Sequence, residues 1–241
     1  MKENVIVERS ASLGCRAGNV FRKYYKYADE NAALTELRNA RTAFLGGVPC
    51  PEPMDVGYSK SRRMYYCEFR FHKLEKIDAR QLTPPERQSI RMIYQRMSSV
   101  RCNHCLGGGG WAKYVSGLEK TLSYVPERVR SVLAKELDAL RRMPNDGFTH
   151  GDFSLVNIAR DGETGEMMVF DFQDACMGVR DWDWAYFLAS VPVDVAVEWK
   201  PDRCVRELMR IVSAVKLARA RRKNSEVGFR TEIFDHWWRG E

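Results

Sequence analysis

Apolar side chains follow two different spacings along the chain, and the change between them falls near residue 84. Residues 4–8 and 20–25 are dense in β-branched and aromatic side chains, and every second position from 65 to 71 is apolar. These patterns predict strands, the last with one buried face. Residues 30–45 have apolar side chains three or four positions apart, at 33, 37, 40 and 44, which predicts one helix among the strands.

From residue 84 onward the apolar positions recur at helical spacing. One stripe of this kind runs through 86–100, a second through 127–143 and a third through 203–223. Strands with a single helix, followed by a mainly helical region, predict an α+β protein with two lobes and a cleft between them. We expect a small β-rich N-lobe over residues 1–72 and a mainly helical C-lobe over residues 73–241.

Composition agrees with a chain that folds around a core. Of its 241 residues, 44 % are hydrophobic and 11 % are aromatic, which excludes a disordered chain. No apolar run reaches the roughly 18 residues that a membrane span requires. The first residues also lack the apolar stretch of a signal peptide, so we expect a cytoplasmic protein.

The formal net charge of +7 is concentrated in one predicted helix. Residues 203–223 hold eight Lys and Arg side chains against one Glu, a balance of 8 − 1 = +7, so the rest of the chain sums to zero. A run of cations on a helix is most often a solvated face. The alternative is an anion-binding face for RNA, a lipopolysaccharide or a phosphorylated sugar.

Seven cysteines, an odd number, indicate reduced thiols rather than a disulfide framework. Only Cys102 and Cys105 lie close together in the chain. A structural zinc site takes four ligands, usually as two separated pairs, and the sequence has no second pair of this spacing. We therefore interpret these cysteines as the end of a helix before the glycines at 107–110, rather than as a metal or redox site.

The densest group of chemistry-bearing residues surrounds a predicted β-hairpin, whose apolar runs 155–159 and 167–172 enclose a turn with two glycines. Asn157 begins the first strand and Asp171 ends the second, so the hairpin brings their side chains together. Oxygen ligands in such a place suit Mg²⁺ with bound phosphates. Asp152, in the loop before the hairpin, is free to accept a proton from a hydroxyl. Metal ligands and an orienting base are the parts of a phosphotransferase site.

Three short motifs resemble the catalytic core of the aminoglycoside phosphotransferase and choline kinase group, within the protein-kinase-like fold. They are His150-Gly-Asp152-x-x-x-x-Asn157, Asp171-Phe-Gln-Asp174-Ala-Cys-Met-Gly178 and Asp183-Trp-Ala-Tyr-Phe-Leu188. The resemblance is close over residues 148–188 and extends to the first 75 residues by the order of elements. It implies a two-lobed kinase-like fold, ATP as the phosphate donor and Mg²⁺ as the cofactor.

The same resemblance assigns roles to five residues. It implies that Asp152 is the catalytic base and that Asn157 and Asp171 are the metal ligands. His150 is implied to brace the catalytic loop without transferring protons. Asp183 is implied to be a buried carboxylate that accepts hydrogen bonds from the loop.

The nucleotide side of such kinases needs a lysine on a strand and a glutamate on the next helix that holds the lysine. Lys23 and Glu36 fit these two roles, because Glu36 lies mid-helix and thirteen residues before Pro49, as in the family pattern. Lys26 and Glu30 form the competing pair.

Two further segments are implied to contact the nucleotide. Glu68, Phe69 and Arg70 match the hinge between the lobes, whose backbone would bind adenine. The segment between Gly14 and Gly18 departs from the glycine-rich loop of protein kinases and lies too near Lys23 for a full hairpin. We expect it to be an irregular loop whose backbone amides could still cover phosphate.

The phosphate acceptor follows from the resemblance only as a class, a hydroxyl-bearing small molecule of the aminoglycoside, choline or sugar kind. The alternatives are a polyanionic acceptor such as tRNA or lipopolysaccharide, bound through the basic helix 203–223, and a non-catalytic nucleotide-binding protein. Related kinases present acidic residues to a cationic acceptor after the metal-binding aspartate. The candidates for that role are Asp174, Asp181, Asp183, Asp194, Glu198 and Asp202.

Overall fold

The protein is described by a computed structural model that covers residues 4–8, 12–27, 29–101 and 110–239. The predicted α+β architecture is confirmed, with an antiparallel sheet in the first part of the chain and helices in the second. The interpretation of Cys102 and Cys105 concerns residues outside these ranges. Among the helices described, none is both long enough and apolar enough to cross a membrane.

One five-stranded antiparallel sheet makes up most of the first part. Its strands are β1 Asn4–Glu8, β2 Ser12–Ala17, β3 Val20–Tyr25, β4 Pro53–Ser59 and β5 Met64–Arg70. They lie in the order β1-β2-β3-β5-β4, so β3 and β5 are neighbours at the centre. Lys23 pairs with Cys67 across these two strands, which places the lysine in the middle of the sheet.

The expected loop between Gly14 and Gly18 is instead a strand. Residues 12–17 form β2, which pairs with β1 on one side and with β3 on the other. Gly18, with φ of 61°, makes the turn to β3, so the full hairpin that we expected to be missing is present. Gly14 is needed in the strand because a Cβ there would lie 2.6 Å from Val7 Cγ1 and 2.8 Å from the ring of Phe21.

One helix, α1 Glu30–Leu45, packs on the sheet as predicted. Asp29 begins it by accepting a hydrogen bond from the Ala32 N–H at 2.9 Å. It ends at the glycine pair 46–47, where Gly47 adopts a φ of 76°. Its apolar stripe, together with the buried Glu36, faces the sheet and the loop after residue 170.

The second part of the chain contains seven helices and five short strands within the described ranges. The helices are α2 Pro84–Ser99, α3 Gly110–Glu119, α4 Glu127–Arg142, α5 Trp182–Leu188, α6 Val193–Glu198, α7 Arg203–Lys223 and α8 Val227–Arg239. The strands are β6 Leu74–Glu75, β7 Gly147–Thr149, β8 Ile158–Asp161, β9 Met167–Val169 and β10 Cys176–Gly178. Strand β7 pairs with β10, and the predicted hairpin is formed by β8 and β9.

Helix α2 begins two residues earlier than the apolar spacing predicted. Thr83 and Glu86 form a capping box, in which the Thr83 hydroxyl accepts from the Glu86 N–H and the Glu86 carboxylate accepts from the Thr83 N–H. Proline occupies the first helical positions, where its missing N–H costs nothing.

The chain passes from the sheet to the helical part over residues 71–73. Strand β5 ends at Arg70, and β6 already pairs with β8 of the helical part. We therefore keep the division of the chain at residues 72 and 73 as our proposal for the two lobes.

The many cations of helix α7 favoured a solvated face, but the middle of this helix is buried. Its buried residues are Val205, Leu208, Met209, Ile211, Val212, Ser213, Ala214, Val215, Leu217, Ala218 and Ala220. The exposed cations lie at its two ends: Arg203, Arg206, Arg221, Arg222 and Lys223. Helices α5 and α8 pack against it, and α8 brings the tryptophan-rich end of the chain back onto the body.

Candidate active site

The loop after β7 is held by one buried carboxylate. Asp183, at the start of α5, accepts a hydrogen bond from the His150 N–H at 2.6 Å and another from the Gly151 N–H at 3.0 Å. Gly151 has a φ of 82°, and a Cβ there would lie 2.8 Å from the Asp174 carbonyl oxygen. The loop therefore needs both glycine and the carboxylate to place Asp152 at its end.

Burial raises the pKa of Asp183 to about 6, against the lowering effects of His150 and of the two backbone hydrogen bonds. The side chain is 2 % exposed, so its charged form is stabilised by these contacts rather than by water. This carboxylate is thus a structural group whose ionisation is linked to folding.

His150 connects the loop to the end of the hairpin. Its Nδ1 accepts from the Asp152 N–H at 3.3 Å, which leaves the proton on Nε2, and Nε2 donates to the Phe170 carbonyl oxygen at 3.0 Å. The residue is fully buried. Both ring nitrogens are engaged with the backbone, in the position where the resemblance implied a bracing role.

Asp152, Asn157 and Asp171 meet at the mouth of the hairpin. Asn157 Nδ2 donates to Asp152 twice, to its carbonyl oxygen and to its Oδ2, both at 3.0 Å. The Phe170 N–H donates to the Asn157 carbonyl oxygen at 3.0 Å, which holds the residue before Asp171 against Asn157. Asp171 itself has left-handed backbone angles, φ 71° and ψ 63°. Such a conformation is costly for a residue other than glycine and is found most often at functional sites.

The side chains at this mouth fit a divalent cation bound together with phosphates. The Oδ1 of Asn157 is buried and has no hydrogen-bond partner, whereas its Nδ2 is fully used. An unpartnered buried amide oxygen is costly unless something else binds it. Within the described ranges no three His, Cys, Asp or Glu side chains cluster to hold a metal. Mg²⁺ typically takes one or two protein oxygens and completes its shell with water and substrate phosphates.

The sheet contributes an ion pair to the same place. Lys23 Nζ lies 2.7 Å from Glu36 Oε2 and 2.7 Å from Asp171 Oδ1, so one ammonium joins β3, α1 and the end of β9. Tyr25 donates a further hydrogen bond to Glu36. The competing pair is not formed, since Lys26 instead lies 2.7 Å from Glu8.

The charges of this ion pair depend on each other. Burial lowers the pKa of the Lys23 ammonium, but Glu36 and Asp171 raise it by more, so it lies above its ordinary value. Burial raises the pKa of Glu36, and Lys23 opposes the rise. The side chains are 12 % and 2 % exposed, so removal of either charge leaves the other in a poorly solvated place.

A cavity of about 820 Å³ separates the sheet from the helical part and contains this ion pair. Its walls are mostly apolar, with Phe21 and Phe69 on the sheet side and Ile158 on the other. Such a volume suits a nucleotide-sized ligand.

Of the three residues expected at the hinge, Phe69 and Arg70 line the cavity. The cavity lining does not include Glu68, whose carboxylate forms an ion pair with Arg22 at 2.7 Å. Glu68 also lies between β3 and β4, so its backbone belongs to the sheet. The segment 71–74 takes its place along the cavity.

Sequence reasoning missed Asn39. Its buried Nδ2 donates to the carbonyl oxygens of Phe172 at 3.0 Å and of Ala175 at 2.8 Å, which ties α1 to the loop after Asp171. Asn39 lies three positions after Glu36 and so on the same side of α1. A polar residue at a buried helical position was the available signal.

Four aromatic and basic residues near Asp152 were also missed. The Tyr186 hydroxyl accepts from Arg219 Nη1 at 3.0 Å, and burial together with the nearby Asp152 raises the pKa of Tyr186. Tyr114 donates to the Gly151 carbonyl oxygen, and the indole N–H of Trp182 donates to the Tyr114 hydroxyl at 3.0 Å. The first and last of these residues, Tyr114 and Arg219, are 105 positions apart in the sequence, so no local motif contains all four.

The acidic residues expected at the acceptor side are mostly elsewhere. Asp174 lies near Asp152 and is exposed, with a pKa raised by partial burial and by Asp152. The others have structural contacts, and these are Asp181 with Tyr94, Asp183 with the loop, Asp194 with Arg80, Glu198 with Arg87, and Asp202 with the first turn of α7.

Comparison with known proteins places this site in context. Residues 110–220 match the model of the phosphotransferase enzyme family APH. No curated protein sequence matches the chain. Among solved structures, the amicoumacin kinase hAmiN is 14 % identical with a TM-score of 0.73, covering 97 % of this chain and 88 % of its own. A thermostable mutant of the aminoglycoside phosphotransferase APH(4)-Ia is 15 % identical with a TM-score of 0.71, covering 100 % and 94 %.

A choline/ethanolamine kinase family protein from Mesorhizobium loti is 14 % identical with a TM-score of 0.64, covering 100 % of this chain and 86 % of its own. At such identities the likeness concerns the fold. The resemblance stated from the motifs is confirmed. Residues 110–220 match the model of the phosphotransferase enzyme family, and the chain has the fold of aminoglycoside phosphotransferases and of a choline/ethanolamine kinase family protein.

Proposed function

We propose that the protein is an ATP-dependent phosphotransferase that moves the γ-phosphoryl group of Mg-ATP to a hydroxyl of a small molecule. The observation that carries this proposal is the meeting of Asp152, Asn157 and Asp171 with the Lys23–Glu36 ion pair beside one large cavity. A site of this composition holds a nucleotide, a cation and a base within one cleft.

The residues divide into nucleotide and metal groups. Lys23 would bind the α- and β-phosphates, with Glu36 fixing its position. Asn157 Oδ1 and the Asp171 carboxylate would hold Mg²⁺, which supplies charge neutralisation between the phosphates. Lys23 and Asp171 contact each other at 2.7 Å, so phosphate and metal would each replace part of this contact on binding.

Asp152 would orient the acceptor and receive its proton. In the transfer step the acceptor oxygen forms a bond to the γ-phosphorus, and the bond from that phosphorus to the bridging oxygen of ADP breaks. The hydroxyl proton passes to the Asp152 carboxylate as the new bond forms. The Asn157 amide, which donates to Oδ2 of Asp152, holds that carboxylate in place.

Structures of similar fold support the nucleotide and the acceptor class. The hAmiN structure is a complex with AMP-PNP, Ca²⁺ and Ami, and an APH(4)-Ia mutant is a ternary complex with ADP and hygromycin B. An aminoglycoside 2′-phosphotransferase-IIIa mutant is a GDP complex, so GTP is the donor to compare with ATP. A cytoplasmic location is part of the proposal, because the buried cysteines of the described ranges are free thiols.

Two variants test the proposal. Asp152→Asn should keep Mg-ATP binding, measured by calorimetry, and lose phosphoryl transfer from γ-labelled ATP to fractions of a cell extract. Asp171→Ala should lose the Mg²⁺-dependent part of nucleotide binding as well. The matched control, Asp146→Asn, removes an exposed carboxylate paired with Arg180 and should change neither. Wild-type turnover in Asp152→Asn would refute the base assignment, and nucleotide binding without any transfer would favour the non-catalytic alternative.

A further inference from the structure

Helix α7 sends two cations toward the proposed catalytic base. Arg219 Nη1 donates to the Tyr186 hydroxyl at 3.0 Å, and Tyr186 lies one turn after Asp183, which holds the loop ending in Asp152. Lys216, one turn earlier, has its Nζ 3.8 Å from the centre of the Tyr186 ring. Tyr186 is buried and therefore fixes both cations relative to Asp152.

These two cations lack carboxylate partners within the part of the chain that the structure describes. Other arginines of this region are paired: Arg210 with Glu136, and Arg230 with Glu226 at 3.1 Å. Lys216 and Arg219 instead contact the hydroxyl and the ring face of one tyrosine. A half-buried cation without a directly paired carboxylate is costly, and an anionic ligand would supply the missing charge.

The balance of charge near Asp152 supports the same conclusion. Two carboxylates, Asp152 and Asp174, act on Arg219. The proposed reaction uses Asp152 as its base, and Asp174 is exposed to solvent. Burial, Arg230 and Arg219 together lower the pKa of Lys216 to about 7, and Asp152 and Glu226 oppose the change. An anionic ligand at Lys216 would favour its charged form and so would bind with proton uptake.

We propose, on the basis of the phosphotransfer function above, that Lys216 and Arg219 bind an anionic group of a small hydroxylated acceptor whose reacting hydroxyl lies at Asp152. The acceptor class is thus a hydroxy acid or a sugar phosphate. Arginine binds carboxylate and phosphate through two parallel N–H groups, and the ammonium of Lys216 adds a point charge beside it.

The position of the two cations favours a small acceptor. Arg219 contacts Tyr186, one turn after the Asp183 that holds the loop ending in Asp152, so the guanidinium and the base lie on the same side of α5. A molecule with a few bonds between its hydroxyl and its anion would contact both. The cations that would suit a polymer, such as Arg222 and Lys223, lie at the exposed end of α7 instead.

The test uses the full chain with matched triplets of hydroxylated compounds that share a skeleton and differ in charge. Gluconate or glucose 6-phosphate, glucose and glucosamine form one such triplet. Binding is measured by calorimetry with and without Mg-AMP-PNP, and turnover is measured as acceptor-stimulated ATP hydrolysis over the basal rate. The variants are Lys216→Gln, Arg219→Gln and the conservative Arg219→Lys, and Arg222→Gln on the same helix is the control.

In each triplet we expect the anionic compound to bind, and the neutral and cationic compounds to bind more weakly. Each Gln variant should raise the KM for an anionic acceptor about tenfold or more, as expected for loss of a charge-assisted hydrogen bond, with Arg219→Lys recovering part of the effect. The KM for a neutral analogue should stay unchanged in these variants, and Arg222→Gln should match the wild type for every acceptor.

Two results would overturn the inference while leaving the proposed function intact. One is transfer to neutral or cationic acceptors or to RNA with no anionic small acceptor. The other is an equal fall in kcat for neutral and anionic acceptors in the variants, which would make Arg219 a positioning residue for Tyr186. Absence of both ATP binding and basal hydrolysis would refute the proposed phosphotransferase function. Binding of the anionic compounds in the absence of nucleotide would still test the anion site by itself.

Discussion

Replacing Asp183 with Asn separates the structural role of this buried carboxylate from its charge. The carboxylate accepts two backbone N–H groups, at 2.6 and 3.0 Å, and these hold the loop that ends in Asp152. Asparagine has nearly the same shape but only one acceptor oxygen. In Asp183→Asn one of the two N–H groups therefore faces an amide NH₂ and loses its partner.

The pKa of about 6 sets the size of the effect on stability. A carboxyl that ionises near 6 in the folded chain and near 3.9 in the unfolded chain holds its proton more tightly when folded. The folded state is therefore destabilised as the pH rises from about 4 to about 6, by about 3 kcal/mol for a difference of two pH units. Asp183→Asn has no such group. The stability of the wild type minus that of the variant should thus fall by about 3 kcal/mol across this range and stay constant above it.

The assay is urea unfolding of both proteins at intervals from pH 4 to pH 8. Above pH 7 we expect the variant to be within about 2 kcal/mol of the wild type, since loss of one hydrogen bond is offset by removal of a buried charge. Phosphoryl transfer should nevertheless fall about 10- to 100-fold in kcat, with nucleotide affinity unchanged, because the loop no longer holds Asp152 as firmly.

Parallel stability curves for the two proteins would refute the reasoning. They would mean that the two hydrogen bonds, rather than burial, decide the pKa of Asp183. Asp146→Asn serves as the control for the removal of a carboxylate at an exposed position, and its curve should run parallel to the wild-type curve.

Three further substitutions test contacts that support the site. Asn39→Leu removes two hydrogen bonds to buried loop carbonyls, so we expect a loss of about 2–4 kcal/mol in urea unfolding. Gly151→Ala combines a φ of 82° with a contact of 2.8 Å to the Asp174 carbonyl oxygen, so kcat should fall together with about 1–3 kcal/mol of stability. Tyr25→Phe removes a donor from the buried Glu36, so the nucleotide KM should rise severalfold while the KM for the acceptor stays the same.

Elements with strong local signals were predictable from the sequence. Helix α1 has an aspartate cap, an apolar stripe and a glycine end, and it spans the predicted residues. The hairpin β8–β9 was equally clear, because two apolar runs enclose a turn with glycines. At the mouth of this hairpin, Nδ2 of Asn157 lies 3.0 Å from Oδ2 of Asp152, the residue that the motif places in the loop before it.

Elements that depend on distant partners were not predictable in the same way. Strand β2 has apolar residues at alternate positions, Leu13, Cys15 and Ala17, but its glycine and small side chains are typical of a loop, and its pairing with β1 and β3 on both sides makes it a strand. The hinge was predicted at Glu68, Phe69 and Arg70, of which Phe69 and Arg70 line the cavity and Glu68 does not. The Arg70 N–H donates to the Glu52 carbonyl oxygen at 2.9 Å, which extends the pairing of β5 past Glu68.

The basic helix shows what a charge count leaves out. Within α7, the positions 205, 209, 212, 216 and 219 follow one another at steps of four, three, four and three, so they share one side of the helix. The first three are buried apolar residues, whereas the last two are Lys216 and Arg219. Net charge treats these two cations like the exposed ones at the helix ends, but their place on the buried stripe directs them to Tyr186. A cation that continues an apolar stripe therefore indicates a binding site more specifically than the total charge of the segment does.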